Sequence, residues 1–211
     1  MEKENMLAGR LYDPSDRKLK ALSGRAHRLS KEYGDTPEED TKRKQELLDA
    51  LLPHKGEGCY LQAPVYFDYG VNTFVGDHFY ANFNLTVLDS CPVRIGNDVM
   101  IGPNCSIVTP IHPMTAEERR TRKRANGELF DLEYAAPITI GNDCWLASNV
   151  VVCAGVTIGD GCVIGAGSVV TRDIPPGSFA AGNPCRVIRK ITEADSLKYK
   201  PEVLGDKKEE L

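Results

Sequence analysis

Between residues 140 and 170 an aliphatic side chain stands at every sixth position: Ile140, Leu146, Val152, Ile158, Ile164 and Val170. Neither a helix period of 3.6 nor a strand period of 2 generates a strict six. The same frame runs upstream through 75, 81 and 87 and, after a two-residue slip near Val93, through 95, 101 and 107. Eleven of these twelve positions are Ile, Val or Leu, the exception being Ala81. The following residue is often glycine (Gly76, Gly96, Gly102, Gly141, Gly159 and Gly165), and four residues on stand small or aliphatic side chains, among them Cys105, Cys144, Cys162 and Ser168. A repeat this short is a solenoid repeat. Six residues make one short strand and one turn, and three such units close a triangular coil that stacks on the last at roughly 4.7–4.9 Å. The aliphatic residue points into the prism. Glycine suits a turn that needs positive φ or close backbone approach, and the cysteines act as small apolar fillers. The pattern predicts an all-β solenoid, a parallel β-helix of hexapeptide repeats.

The first 54 residues carry a helical pattern instead and read as a helical cap on the solenoid. Asp13 is expected as an N-cap with Pro14 at N1 and Asp16 at N3, followed by Leu19, Leu22, Ala26 and Leu29 at helical spacing. Thr36 and Glu39 form an expected capping box for a second helix that buries Leu47, Leu48, Leu51 and Leu52. The β-helix is expected over 55–192, with a loop insertion at 110–136 where the repeat stops, and a polar, mobile tail over 193–211. A long loop thrown out of a rigid coil is a usual place for function.

Composition narrows the class. Hydrophobic residues at 41% and charged residues at 27% are ordinary for a soluble globular chain. A net charge of -4 argues against a nucleic-acid surface, and the basic run at 118–124 reads as a solvated loop. No apolar run is long enough for a membrane span, and the start "MEKENMLAGR" has no apolar core of a secretory signal. Seven cysteines without CxxC spacing suggest neither a disulfide framework nor a zinc knuckle. A cytoplasmic protein is expected.

The segments "YFDYGVN", "FYANFNL", "TPIHP", "ITIGNDCWLASNVVV", "GVTIGDGCVIGAGSVVTRDIPPG" and "AAGNPCRVI" cover most of the chain in order. Together they resemble the maltose and galactoside O-acetyltransferases of the hexapeptide-repeat family. The resemblance implies a left-handed parallel β-helix that assembles as a homotrimer and transfers acetyl from acetyl-CoA to a sugar hydroxyl, with no metal. It implies His112, where the chain leaves the coil, as the general base, and Asn82 in the catalytic pocket. Asp68 and Tyr80 would line the acceptor site, with Asp16 reaching it from the cap. A second Asp that the family can carry after "VLD" is Ser90 here, which leaves Asp89 as a candidate. On the donor side Ser148 would contact the thioester end, its backbone N–H serving as oxyanion donor. Ala166, Thr171 and Arg172 would follow the pantetheine arm, and Arg186 and Arg189 would meet the nucleotide phosphates.

The residues can be weighed by themselves. Acyl transfer to an alcohol needs a base, an oxyanion donor and a slot for the acyl carrier, and imidazole titrates in the range that suits a base at neutral pH. "FYANFN" alternates Tyr80, Asn82 and Asn84 with Phe79, Ala81 and Phe83, which suits a strand, while asparagine also tolerates the left-handed backbone of a turn. Trp145, the only tryptophan, is expected at an outward-facing turn position, against the acyl donor or against a neighbouring subunit. Base and donor groups are expected on separate coils flanking one edge, with the acetyl-CoA groove between two subunits of a three-fold trimer. The insertion is expected to fold over the acceptor mouth as a lid, with Phe130 or Leu132 offering an apolar face. Three other readings remain on the same solenoid. One is an acetyltransferase of an antibiotic or other non-sugar acceptor, and another a non-catalytic scaffold. The third, a zinc lyase of the γ-carbonic-anhydrase type, needs three converging histidines where the coil offers only His78 and His112.

Overall fold

The computed structural model describes residues 1–210. Three parallel sheets form the walls of a prism of about six turns. In each turn the chain passes through the first, second and third wall in order, as in His54–Lys55, Tyr60–Leu61 and Val65–Phe67 of the lowest turn. Register explains the period. Lys55, Val75, Ile95, Ile140 and Ile158 pair in sequence up the first wall. Leu61, Ala81, Ile101, Leu146 and Ile164 do so up the second, and Phe67, Val87, Ile107, Val152 and Val170 up the third. All twelve positions of the hexad frame are buried, as are Cys105, Cys144 and Cys162. Each of these thiols also donates to a carbonyl of the next turn: Ala147 O at 3.1 Å, Gly159 O at 3.2 Å and Pro175 O at 3.2 Å. Burial pushes the Cys144 thiol up to about 11, which keeps it protonated and inert.

The corner between the first and second walls explains the aliphatic–Gly–Asx triplets. There each Asx side chain accepts the backbone N–H of the turn below: Glu57 N–H bonds Asp77, Asp77 N–H bonds Asn97, Asn97 N–H bonds Asn142 and Asn142 N–H bonds Asp160, all at 2.7–2.9 Å. The preceding glycine must be bare for this ladder to pass. A Cβ on Gly141 would lie 2.3 Å from Asp160 Oδ1 and 2.6 Å from its backbone nitrogen.

Spacing between turns is 20 residues from Val75 to Ile95 but 18 from Ile140 to Ile158. The extra two residues fall at the corner between the third and first walls, which is the slip expected near Val93. The preceding turn has the same surplus, since Lys55 to Val75 is also 20. Insertion 110–136 leaves from this corner too, so in three successive turns the third corner is the irregular one.

The cap has three helices: α1 (Glu2–Leu7), α2 (Arg17–Asp35) and α3 (Thr41–Leu51). Its boundaries differ from the sequence expectation. α2 is capped by Asp16, whose Oδ1 accepts from the Lys18 and Leu19 N–H groups, and not by Asp13. Asp13 instead folds an Asx turn with Ser15 and pairs with Arg124 of the insertion. Thr36 closes the end of α2 by bonding Glu32 O, and Asp40 caps α3, so there is no Thr36–Glu39 capping box. Leu47, Leu48, Leu51 and Leu52 plug the open end of the prism in one cluster with Leu61, Val65 and Phe67.

Beyond the last turn, Arg186–Lys190 folds back antiparallel on Ser178–Ala181. The segment after it, expected to be mobile, forms short helical turns and buries Leu204. Among the described residues no helix is long and apolar enough to cross a membrane.

Candidate active site

The irregular third corner gathers the ionisable groups. Pro110–Ile111 continues the coil outward and pairs antiparallel with the returning segment Tyr134–Ala135. His112 follows at the point of departure, its side chain half exposed, and Glu133 sits opposite on the return. His112 Nε2 is 3.7 Å from Glu133 Oε2, an ion-pair separation rather than a hydrogen bond. The Glu133 side chain is only 13% exposed. Burial raises its pKa, against the Tyr12 hydroxyl and His112, which lower it.

Asp89 and Asp68 occupy the same corner one and two turns below His112, in different states. Asp68 keeps 31% of its side chain exposed and lies 3.8 Å from His27 Nε2 on α2. Burial, then the neighbouring Asp89, pushes its carboxyl up to about 6. Asp89 is fully buried and saturated. It accepts from the N–H groups of Tyr69, Gly70 and Asn72 and from the Thr73 hydroxyl, at 2.8–3.2 Å. The expectation that Asp89 binds acceptor therefore fails: its oxygens hold the two-residue surplus of the corner in place and have no face to offer a ligand.

The remaining predicted residues lie elsewhere. Tyr80 faces outward from the second wall and stacks on Tyr60, with ring centroids 6.1 Å apart. The strand there is only Tyr80–Ala81, and residues 82–84 form the turn into the third wall, with Asn84 left-handed at φ 62°. The predicted alternation thus ends at Ala81: Phe83 is exposed, and Asn82 Oδ1 accepts its own neighbour's N–H at 2.7 Å. Ser148 and Ala166 fall at this same second corner, two and three turns further along. Trp145 is in a strand of the second wall, not a turn, and its ring is outward and 51% exposed. Thr171 and Arg172, both exposed, return to the third corner. Base and donor groups therefore do not flank one edge of a single prism. They divide between two edges.

Asp16 spends one carboxylate oxygen on the α2 N-terminus and lines a cavity between cap and insertion together with Asp13, Arg124, Phe130 and Leu132. The insertion folds as a helical turn, Ala116–Arg119, and a hairpin, Arg122–Lys123 against Leu129–Phe130. Phe130, expected with Leu132 to offer an apolar face, lines this cavity with the Arg122 and Arg124 guanidinium groups over its ring, 5.1 and 4.2 Å from its centroid. Leu132 keeps its place on the cavity wall. At the far end Arg186 bonds the Cys185 carbonyl at 2.8 Å. Arg189 grips Asp195 bidentately at 2.6 and 2.7 Å, which lowers that carboxyl to about 2. Among the described residues no group of three His, Cys, Asp or Glu side chains converges as a metal site would.

Sequence reasoning missed Glu133 and Tyr12. Both lie outside the hexad frame, and the only sign of Glu133 was an acidic residue just before the repeat restarts at Ile138.

Known proteins share this architecture. Residues 5–56 match the maltose acetyltransferase hexapeptide capping motif. Residues 92–112 match the hexapeptide repeat of succinyl-transferase, and residues 137–172 the bacterial transferase hexapeptide repeats. Galactoside O-acetyltransferase of Escherichia coli is 42% identical over 93% of this chain and 92% of its own length. That of Lactococcus lactis is 38% identical over 90% and 87%. The crystal structure of a maltose O-acetyltransferase from Clostridium difficile superposes with a TM-score of 0.84 at 39% identity, covering 92% of this chain and 98% of that one. A galactoside acetyltransferase in complex with coenzyme A also gives 0.84, at 42% identity over 92% and 93%. With the cap, the repeats and at least nine-tenths of the chain matched, the chain belongs to the maltose and galactoside O-acetyltransferase family of hexapeptide-repeat enzymes.

Proposed function

We propose that this chain transfers the acetyl group of acetyl-CoA to a hydroxyl of a sugar acceptor, with His112 as general base, at sites formed between the copies of a homotrimer. The observation that carries the chemistry is the His112–Glu133 pair at the mouth of the insertion. The acceptor hydroxyl gives its proton to the imidazole as its oxygen attacks the thioester carbonyl. Glu133 is placed to balance the positive charge that forms on the ring. The tetrahedral oxyanion is met by the Ser148 backbone N–H. Collapse breaks the C–S bond, and the CoA thiolate takes the proton back from the imidazolium, leaving acetyl ester and free CoA. No acyl-enzyme is needed. Relatives named for galactoside and maltose acetylation and a neighbour solved with coenzyme A support the substrate classes.

The division of groups between two edges supports the assembly. If the second corner of one copy, with Asn82, Ser148 and Ala166, abuts the third corner of the next, with His112, Glu133 and Asp68, one cleft holds both sets. A closed three-fold ring repeats that contact three times. Arg186 and Arg189 are the cations proposed for the nucleotide phosphates, with Arg172 along the pantetheine arm, and Arg189 must first leave Asp195. Leu132 and Asp16 are proposed to border the acceptor, Phe130 acting only by stiffening the hairpin.

The test is a free-thiol assay for CoA release against a panel of sugars and non-sugar alcohols. His112→Ala is expected to keep the fold and acetyl-CoA binding while turnover falls by roughly 10²–10⁴. Retention of more than half the wild-type rate overturns the base assignment, and turnover only on non-sugar acceptors overturns the substrate class.

A further inference from the structure

We propose that Tyr12, on the N-terminal cap, is a positioning residue for the catalytic base: its hydroxyl fixes the Glu133 carboxylate that faces His112. This rests on the reading of His112 as base. Tyr12 is almost completely buried, in a small cluster with Met6, Leu19 and Tyr69 that is separate from the core of the prism. Its backbone forms an isolated antiparallel bridge with Glu133, Tyr12 N–H to Glu133 O at 2.9 Å and Glu133 N–H to Tyr12 O at 3.2 Å. On top of that bridge the phenol donates to Glu133 Oε1, which leaves Oε2 turned to His112.

Packing alone does not require this bond, since a phenyl ring would fill the same space. What the hydroxyl adds is orientation. Glu133 closes a long insertion and has three side-chain torsions to settle, and among the described residues neither the coil nor the loop supplies another hydrogen bond to its carboxylate. The donor must come from the cap, 121 residues away in sequence. The cap thereby connects to the chemistry as well as closing the prism end.

The bond also sets the charge of Glu133. The titratable groups facing it are Tyr12 from the cap, His112 and Asp131 from the insertion, and Asp68 and Tyr69 from the third corner. Burial raises the Glu133 pKa and the Tyr12 hydroxyl lowers it. Without that donor Glu133 holds its proton to higher pH, and a neutral carboxyl does not balance an imidazolium.

Steady-state kinetics of Tyr12→Phe, Glu133→Gln and the double variant test this, with melting curves to confirm folding. Tyr12→Phe is expected to lower kcat roughly tenfold, leave KM for acetyl-CoA within about twofold, and move the acid limb of the kcat profile to higher pH. Glu133→Gln is expected to lose at least as much, and the double variant no more than Glu133→Gln, because the hydroxyl acts through that carboxylate. An unchanged kcat and pH profile in folded Tyr12→Phe overturns the proposal, as do losses that multiply in the double variant. Should Tyr12→Phe fail to fold, Glu133→Gln with wild-type kcat overturns it equally. The two readings separate cleanly: an inactive His112→Ala beside an unaffected Tyr12→Phe defeats only the role of Tyr12, whereas an active His112→Ala defeats the base itself.

Discussion

Asp68 holds its carboxyl at about 6 in the folded chain against a reference of 3.8, because burial and then Asp89 disfavour its charge more than His27 favours it. The sign follows from linkage. Between about pH 4 and 6 the folded chain binds this proton and the unfolded chain does not, so stability falls as pH rises through that window. Above it the ionised carboxylate costs about 1–2 kcal/mol, discounted for its partial exposure. Asp68→Asn is therefore expected to be more stable than the wild type at pH 7 by that amount, with the difference gone by pH 4, as read from chemical denaturation at the two pH values. A variant less stable at pH 7 would mean that the charge is better compensated than its surroundings indicate. Maintaining a strained charge fits a residue kept for acceptor binding rather than for the fold. Asp89 is the contrast: the same side chain one turn along is saturated by four donors. Sequence could flag both aspartates as candidates, yet it could not tell a bound carboxylate from an available one. That difference lies in which backbone N–H groups a corner leaves over.

At the scale of elements the repeat was the most legible feature, because every hexad position has one environment repeated up a wall. An aliphatic residue can only face the prism, and the glycine behind it can only be bare where the Asx ladder crosses. Gly141→Ala tests that account. Its Cβ would sit 2.3 Å from Asp160 Oδ1, so the Asn142–Asp160 bond must break or the turns must part. A loss of about 1–3 kcal/mol in unfolding free energy is expected. Gly127→Ala, at a hairpin position whose nearest neighbour is the flexible end of Lys123 at 3.8 Å, is a milder comparison, strained only by its φ of 89°. Equal effects at the two sites would remove the ladder from the explanation. Helix starts were less legible. Asp13 and Asp16 both suit an N-cap, and what separates them is Arg124, more than a hundred residues away, which claims Asp13. The surroundings of Phe130 were illegible for a similar reason: nothing local predicts that two arginines of its own hairpin lie over its ring.

For the whole molecule, the resemblance names His112 and Asn82 as site residues, and the sequence reading sets base and donor groups along one edge. A linear pattern counts turns and does not show which corner a side chain leaves from. His112 departs from the third corner and Asn82 from the second. On the proposed trimer, a site that uses both draws them from two copies. This has a measurable consequence that does not depend on seeing the interface. His112→Ala and Asn82→Ala should each be nearly inactive alone. When equal amounts are co-expressed, or unfolded together and reassembled, copies of the proposed trimer mix at random. A site is intact when the copy supplying His112 carries the Asn82 change and the copy supplying Asn82 carries the His112 change. That pairing has a probability of one half for each copy, so about one quarter of wild-type activity should return. If both residues of a site come from one copy, every site in every mixed trimer retains a defect, and no activity returns at any mixing ratio.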